Sequence, residues 1–256
     1  LVLHHAFALG SAGGPMFGSL PRTSRTRRMS KIYYGCDEVT KGWDRYFGLC
    51  NALEVPNVGK VPTVQALNTW RVDSPKGFAF VLHATKEFTE ALEELADHGE
   101  SKLNDAVRKA WTTTLERASA LAAKAILIRT SFEFMPSQNT RALMQNFANE
   151  FLDNSRVVMW ETSGMWDTET TFNWAKDLGF TYVIDPFLVI EDGLDLFSAD
   201  VALKVVERGG MRRNFDQFDM EDLLAQFERT NRAFVLFRGR HKWRHARELQ
   251  QVLTRQ

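Results

Sequence analysis

The stretch from Val157 to Pro186, VVMWETSGMWDTETTFNWAKDLGFTYVIDP, holds one complete strand–helix–strand unit and decides how the rest of the chain is read. Its ends, Val157 to Thr162 and Thr181 to Pro186, are short apolar and β-branched runs of the kind that form strands buried on both faces of a parallel sheet. Between them Asp167 is placed to accept a free amide at the start of a helix, which carries Phe172 and Trp174 to Leu178. Gly179 follows, where a glycine takes the left-handed turn that ends a helix.

Working outward, the same alternation recurs from Lys31 to the end of the chain, as repeated βα units around a parallel sheet require. Eight strands are expected: Lys31 to Cys36, Ala52 to Asn57, Phe78 to Thr85, Ala125 to Ser131, Val157 to Thr162, Thr181 to Pro186, Val201 to Glu207 and Ala233 to Arg238. Helices are expected over Val64 to Val72, Glu87 to His98, Ser101 to Ala122, Asn139 to Leu152, Glu169 to Leu178, Met220 to Arg229 and Trp243 to Leu253. Ser137 precedes a helix whose Leu143, Phe147, Phe151 and Leu152 form one apolar stripe, and Asp219 opens another with Leu223, Leu224 and Phe227 on its buried face. Phe187 to Ala199 carries no comparable helix, so an irregular connection is expected between the sixth and seventh strands. Glu87 to Ala122 is the one candidate insertion. The fold class is α/β, a TIM-like (β/α) barrel.

The chain of 256 residues, 44% apolar and 25% charged, matches one such barrel better than two small domains. Its 32 basic and 32 acidic residues balance, which removes the overall positive charge of a dedicated nucleic-acid binder. Polyanion binding would need a local patch. Two cysteines, Cys36 and Cys50, are too few for a disulfide scaffold and fit a reducing, cytoplasmic setting. No run reaches the roughly 20 apolar residues that cross a bilayer, so no membrane partner is expected. Residues 1–28 differ from the rest: rich in Gly, Ser and Pro, they carry Arg22, Arg25, Arg27 and Arg28 and no acid. They are read as a disordered tail or an extension upstream of a natural start at Met29, with residues 29–256 forming the barrel.

Particular residues then resemble a known family. Ala52-Leu-Glu-Val-Pro-Asn57, Val61-Pro-Thr-Val64, Trp70 and Ser74-Pro-Lys-Gly-Phe-Ala-Phe-Val-Leu82 are similar to the consecutive strand motifs of the YecE-like family, the "domain of unknown function 72". Val158-Met-Trp-Glu161 with Trp166, Tyr182-Val-Ile-Asp185, and Phe234-Val-Leu-Phe237 with Ala246 follow in the same order, so the resemblance runs from Lys31 to Leu253. It implies a barrel and no established reaction. Several motif positions depart from the pattern. His83 stands where the family has lysine and Arg129 where it has glutamine, while Ser163 lies near the position that has lost its arginine. The seventh-strand motif is reduced to Lys204-Val-Val-Glu207, and Arg238, Gly239, Arg240 and His245 replace asparagines near the eighth strand. The branch is divergent.

Barrel active sites lie at the carboxyl ends of the strands, where the βα loops meet. That rule nominates Asp37, Glu54, His83, Arg129, Glu161, Asp185, Glu207 and Arg238. Strand periodicity places Val81 with His83, Leu127 with Arg129, Met159 with Glu161 and Val183 with Asp185 on shared faces, though runs apolar on both sides do not say which face points inward. Glu161, His83, Asp185 and Glu54 are the candidate catalytic groups. A carboxylate desolvated beside Trp160 or Trp166 would have a raised pKa suited to general acid or base work, with His83 as proton shuttle. A buried ion-pair network that only closes the mouth is the competing expectation. Arg129, Arg208, Arg212, Arg238, Arg240 and Trp166 are the candidate ligand-binding groups. The Glu207-Arg-Gly-Gly-Met-Arg-Arg213 loop and Arg240 follow the seventh and eighth strands, where barrels often hold phosphate, although a solvated basic loop reads equally well.

Other signals point to packing. His241 and His245 have a helical metal-ligand spacing without a third ligand, and are expected as a helix-surface pair. Cys36 would be a nucleophile only with His83 beside it, and otherwise is a small buried thiol. Trp43, Tyr46 and Phe47 are assigned to the packing face of a short first helix. No P-loop, dinucleotide fingerprint or nucleophile elbow is present, so the sequence names no cofactor or metal. The expected activity is binding or conversion of a small anionic or phosphorylated ligand at the barrel mouth, with a non-catalytic binding protein and nucleic-acid processing as alternatives.

Overall fold

The computed structural model describes residues 31–40, 42–153, 155–187, 200–206, 215–227 and 230–255. The N-terminal extension, nearly all of the expected irregular connection, and the loop bearing Glu207, Arg208, Arg212 and Arg213 lie outside the described residues. Eight parallel strands close into a barrel: β1 (Lys31–Cys36), β2 (Ala52–Val55), β3 (Ala79–His83), β4 (Ala125–Arg129), β5 (Val157–Glu161), β6 (Thr181–Ile184), β7 (Asp200–Val206) and β8 (Arg232–Arg238). Each pairs with its neighbour in sequence, and β8 returns to β1 with Lys31 opposite Arg232 and Cys36 opposite Phe237. The helices described are α1 (Trp43–Leu49), α2 (Val64–Asp73), α3 (Lys86–Asp97), α4 (Asp105–Leu121), α5 (Gln138–Phe151), α6 (Thr168–Asp177), α7 (Gln217–Gln226) and α8 (Lys242–Leu253).

Local chemistry fixes the ends of these elements. The Ser137 hydroxyl accepts from Thr140 N at 3.0 Å while the Thr140 hydroxyl accepts from Ser137 N at 2.8 Å, a reciprocal cap for α5. Asp167 caps α6 through Thr170 N at 2.7 Å, and Gly179, with φ of 90°, follows its last turn. α4 begins later than expected, at Asp105, because the Asn104 side chain accepts from Val107 N at 3.0 Å. Asp219 does not open α7. Asp216 is its cap, and Asp219 is the reciprocal partner three residues inside.

Apolar residues form two shells. Inside the barrel lie Tyr33, Ala79, Val81, Leu127, Met159 and Phe234 with their neighbours; between strands and helices lies a larger shell rich in aromatic rings. Tyr46 of α1 is fully buried in the outer shell, where its hydroxyl accepts from Cys36 N at 2.8 Å and donates to Ala52 O at 2.7 Å. The β1–β2 contact there is so close that a Cβ on Gly35 would lie 1.8 Å from Ala52 O. Only glycine fits.

Candidate functional site

The inner shell settles the parity question. Val81, Leu127, Met159, Val183, Ala202 and Leu236 point into the barrel. The next residue of like parity at the carboxyl end of each strand is therefore His83, Arg129, Glu161, Asp185, Lys204 and Arg238. Ala52 brings Glu54 to the same rim. Ion pairs among Glu54, His83, Arg129, Glu161, Lys204 and Arg238 show that these six converge.

Arg238 is the hub. Its Nε donates to Glu54 Oε2 at 3.0 Å and its Nη2 to Glu54 Oε1; Nη1 donates to Glu161 Oε1 at 3.1 Å. One planar guanidinium thus bridges carboxylates from β2 and β5, a geometry its fork of donors suits and an ammonium does not. His83 Nε2 lies 2.5 Å from Glu54 Oε1. Lys204 Nζ donates to Glu161 Oε1, and Arg129 Nε approaches the same atom at 3.3 Å. Glu161 Oε2 lies 3.0 Å from Arg238 Nη2 but outside hydrogen-bonding angles, so this buried oxygen accepts no hydrogen bond.

Burial would raise the Glu54 carboxyl, but the hydrogen bond and charge of His83, followed by Arg238, outweigh it and hold the pKa at about 2. Glu161 is also held below the usual carboxylate range: burial again opposes, and the charges of Arg238 and Lys204 win. Burial pulls Arg238 down, yet its two carboxylates keep it above its ordinary value. The expected raised carboxyl beside Trp160 is therefore corrected. Both glutamates stand as buried anions because the cations reach them at closer range than any apolar wall acts.

The cluster is layered by exposure. Glu54 and Glu161 are 1% and 2% exposed, Arg238 10%, Lys204 23% and Arg129 51%. Carboxylates form the floor, and cations face the opening.

Asp185 sits at the end of β6, where its Oδ1 accepts from Phe187 N at 3.1 Å. Asp37 beyond β1 pairs with Lys242 Nζ at 2.6 Å, which also reaches Glu38 at 2.8 Å. Arg240 is exposed on the turn between β8 and α8. Trp166 is placed elsewhere: buried in the outer shell, it stacks on Phe134 and Trp174 and donates its indole N–H to Phe134 O at 2.6 Å. Its fully buried neighbour Trp160 is also an outer-shell residue. The expected surface pair of histidines is corrected as well. His245 is fully buried, its ring edge-on to Phe215 at 5.0 Å, because it lies on the stripe of α8 that includes Ala246, Leu249 and Val252. Cys36 is fully buried on the outer side, and contact with Cys50 together with burial pushes its thiol far above its ordinary pKa. It is not a nucleophile in this state. Among the described residues no group of three or more His, Cys, Asp or Glu side chains is placed to hold a metal ion, and no helix is long and apolar enough to cross a membrane.

Lys204 is the mouth residue that sequence reasoning left out of the site. Its signal was present: alternate residues Ala202 and Lys204 share a face of an otherwise apolar strand.

A cleft of about 830 Å³ adjoins this rim. The β2–α2 loop from Pro56 to Val61, His83 at the end of β3, Thr85 just beyond it, the first turn of α3 and one face of α4 form its walls.

No family model matches the chain, and no curated protein matches it. Solved structures do share its fold. A DUF72 family protein from Enterococcus faecalis superposes with a TM-score of 0.67 at 16% identity, covering 89% of this chain and 99% of that one. A DUF72 family protein from Thermotoga maritima gives 0.66 at 14%, covering 88% and 99%. A xylose isomerase domain containing protein from Salmonella typhimurium gives 0.56 at 12%, covering 88% and 95%. The fold is that of these barrels. At such identities the likeness carries no residue role.

Proposed function

We propose that this chain, a divergent relative of the DUF72 barrels whose fold it shares, binds a small anionic or phosphorylated ligand at the carboxyl face of its barrel. The observation that carries this reading is the vertical order of charge: buried carboxylates below, half-exposed Arg129 and part-buried Lys204 above. An incoming anion meets cations first, and the buried carboxylates hold those cations in place without reaching the opening themselves. Arg240, on the neighbouring turn, adds a further positive charge at the same end of the barrel.

His83 is the group suited to moving a proton. Its ring is anchored by Glu54, as catalytic imidazoles are anchored by a carboxylate, while the low pKa of Glu54 keeps that partner ionised. Glu161, tied to three cations, acts as their anchor rather than as an acid. Its unsatisfied Oε2 is an acceptor for a ligand hydroxyl if the cluster opens on binding.

The test is thermal unfolding in inorganic phosphate, in sulfate and in glucose 6-phosphate at matched ionic strength. Binding to the native state alone raises the melting temperature. An increase with at least one of them that Arg129→Ala abolishes supports the reading; no increase with any of the three overturns it.

A second reading has its own observation. Arg238 lies between Glu54 and Glu161 as a closed ion-pair network, which would cap the barrel without turning anything over. In that case Glu161→Gln leaves every measurable association unchanged.

A further inference from the structure

The cleft beside the mouth has walls fixed by hydrogen bonds that the charge cluster does not need. Asn57 Nδ2 donates to Ala84 O at 2.7 Å and Arg117 Nη2 to Pro62 O at 2.9 Å, pinning the β2–α2 loop at both ends. Thr85 N donates to Thr114 Oγ1 at 3.1 Å, which fastens the end of β3 to α4. The cleft is therefore preformed, and it exists because α4 is a second helix between β3 and β4, packed against both α2 and α3. Its volume of about 830 Å³ suits an organic molecule rather than an inorganic ion.

The lining is of two kinds. Pro56, Val58, Leu82, Ala91, Ala106 and Ala110 give apolar wall, and Val58 is 66% exposed at the edge. Lys86, Lys109 and Arg117 set three positive charges around the cleft against the carboxylate of Glu87 in its lining and that of Glu90, which pairs with Lys86 Nζ at 2.9 Å from outside the lining. Partial burial pulls the Arg117 guanidinium below its ordinary pKa, and the charge of Glu87 opposes this.

We propose that this cleft is a second binding site, which takes an amphipathic organic anion: an apolar stem against the Pro56–Ala110 wall and a carboxylate or phosphate held by Lys86, Lys109 and Arg117. Among the described residues it meets the mouth only through His83, and it stands whether or not that residue transfers protons.

Calorimetric titration with octanoate and with octyl phosphate, with octanol as the neutral control, tests it. Ala106 and Thr113 line the cleft from the exposed face of α4, so tryptophan at either position fills it without entering the core. The expected result is binding of both anions to the wild type, at least about tenfold weaker binding of octanol, and at least about tenfold weaker anion binding in Ala106→Trp, Thr113→Trp and Lys109→Glu. Arg129→Ala at the mouth leaves unchanged the part of the anion titration that the tryptophan variants remove. Because both tryptophan variants are scored only with wild-type circular dichroism, misfolding in one leaves the other to decide. The proposal is overturned if neither anion binds the wild type, if a folded tryptophan variant binds like the wild type, or if Arg129→Ala alone removes binding. That last outcome would assign the anion to the mouth instead.

Discussion

The interior of the barrel contains two regions made by the same strands. Below the rim, Val81, Leu127, Met159 and Phe234 fill space with apolar groups; one step of the pleat higher, His83, Arg129, Glu161, Lys204 and Arg238 fill it with charge. The lower region is stable for a generic reason, removal of apolar surface from water. The upper region is stable only as a set, since each buried ion is tolerated through its partners and replacing the whole network by well-packed apolar side chains is often neutral or stabilising. Apolar filling would thus serve the fold at least as well, and the proposed function rests on that contrast.

The largest effect expected from this contrast is at its hub. Arg238→Met strands Glu54 and Glu161 as buried anions and should cost about 3–5 kcal/mol in urea unfolding at pH 7. Adding Glu54→Gln should return part of that loss, a coupling that a double-mutant cycle reads directly. In the lower region Met159→Ala should cost about 2–5 kcal/mol by leaving a cavity, and no second substitution at the rim should restore it. Equal recovery in both would erase the distinction between the regions.

Acid sharpens the comparison next. The folded Glu54 pKa is depressed from 4.5 to about 2, so its contribution is complete above about pH 4.5 and is lost as pH falls toward 2. That gap corresponds to roughly 3 kcal/mol. Glu161, depressed in the same direction, adds to the same slope. Unfolding free energies measured between pH 6 and pH 2.5 should fall steeply in the wild type and less steeply in Glu54→Gln, whereas Met159→Ala should parallel the wild type. A slope unaffected by Glu54→Gln would mean that its carboxyl titrates normally.

The apolar region and the strand order were legible in the sequence because parallel strands read as short apolar runs whatever their face. The charged region was legible as a set of strand ends and illegible as a network. Glu54, His83, Glu161 and Arg238 could be nominated by position, but runs such as Val157 to Glu161, apolar on both sides, hide which residues point inward until the barrel closes. The sign of the carboxyl shifts was missed for the same reason: for Glu54 it depends on His83 and Arg238, 29 and 184 residues away. Lys204 and His245 show the converse, since in each case apolar neighbours at strand or helix spacing already marked the buried face. The cleft was not legible; only the helical stretch from Glu87 to Ala122, which supplies α3 and α4, stood out as a candidate insertion.

The smallest stability effect carries the most functional information. Arg129 is half exposed, and its approach to Glu161 at 3.3 Å leaves Lys204 and Arg238 to neutralise that carboxylate if it is removed. An ion pair whose cation is half exposed and whose carboxylate keeps two other cations contributes less than about 1 kcal/mol, so Arg129→Ala should unfold within that margin of the wild type in urea. Yet Arg129 is the most exposed cation of the cluster, so on the proposed function the same variant should lose the thermal stabilisation given by phosphate or sugar phosphate. A variant that keeps its stability and also keeps its response to every anion would place the ligand elsewhere and leave the upper region a structural plug.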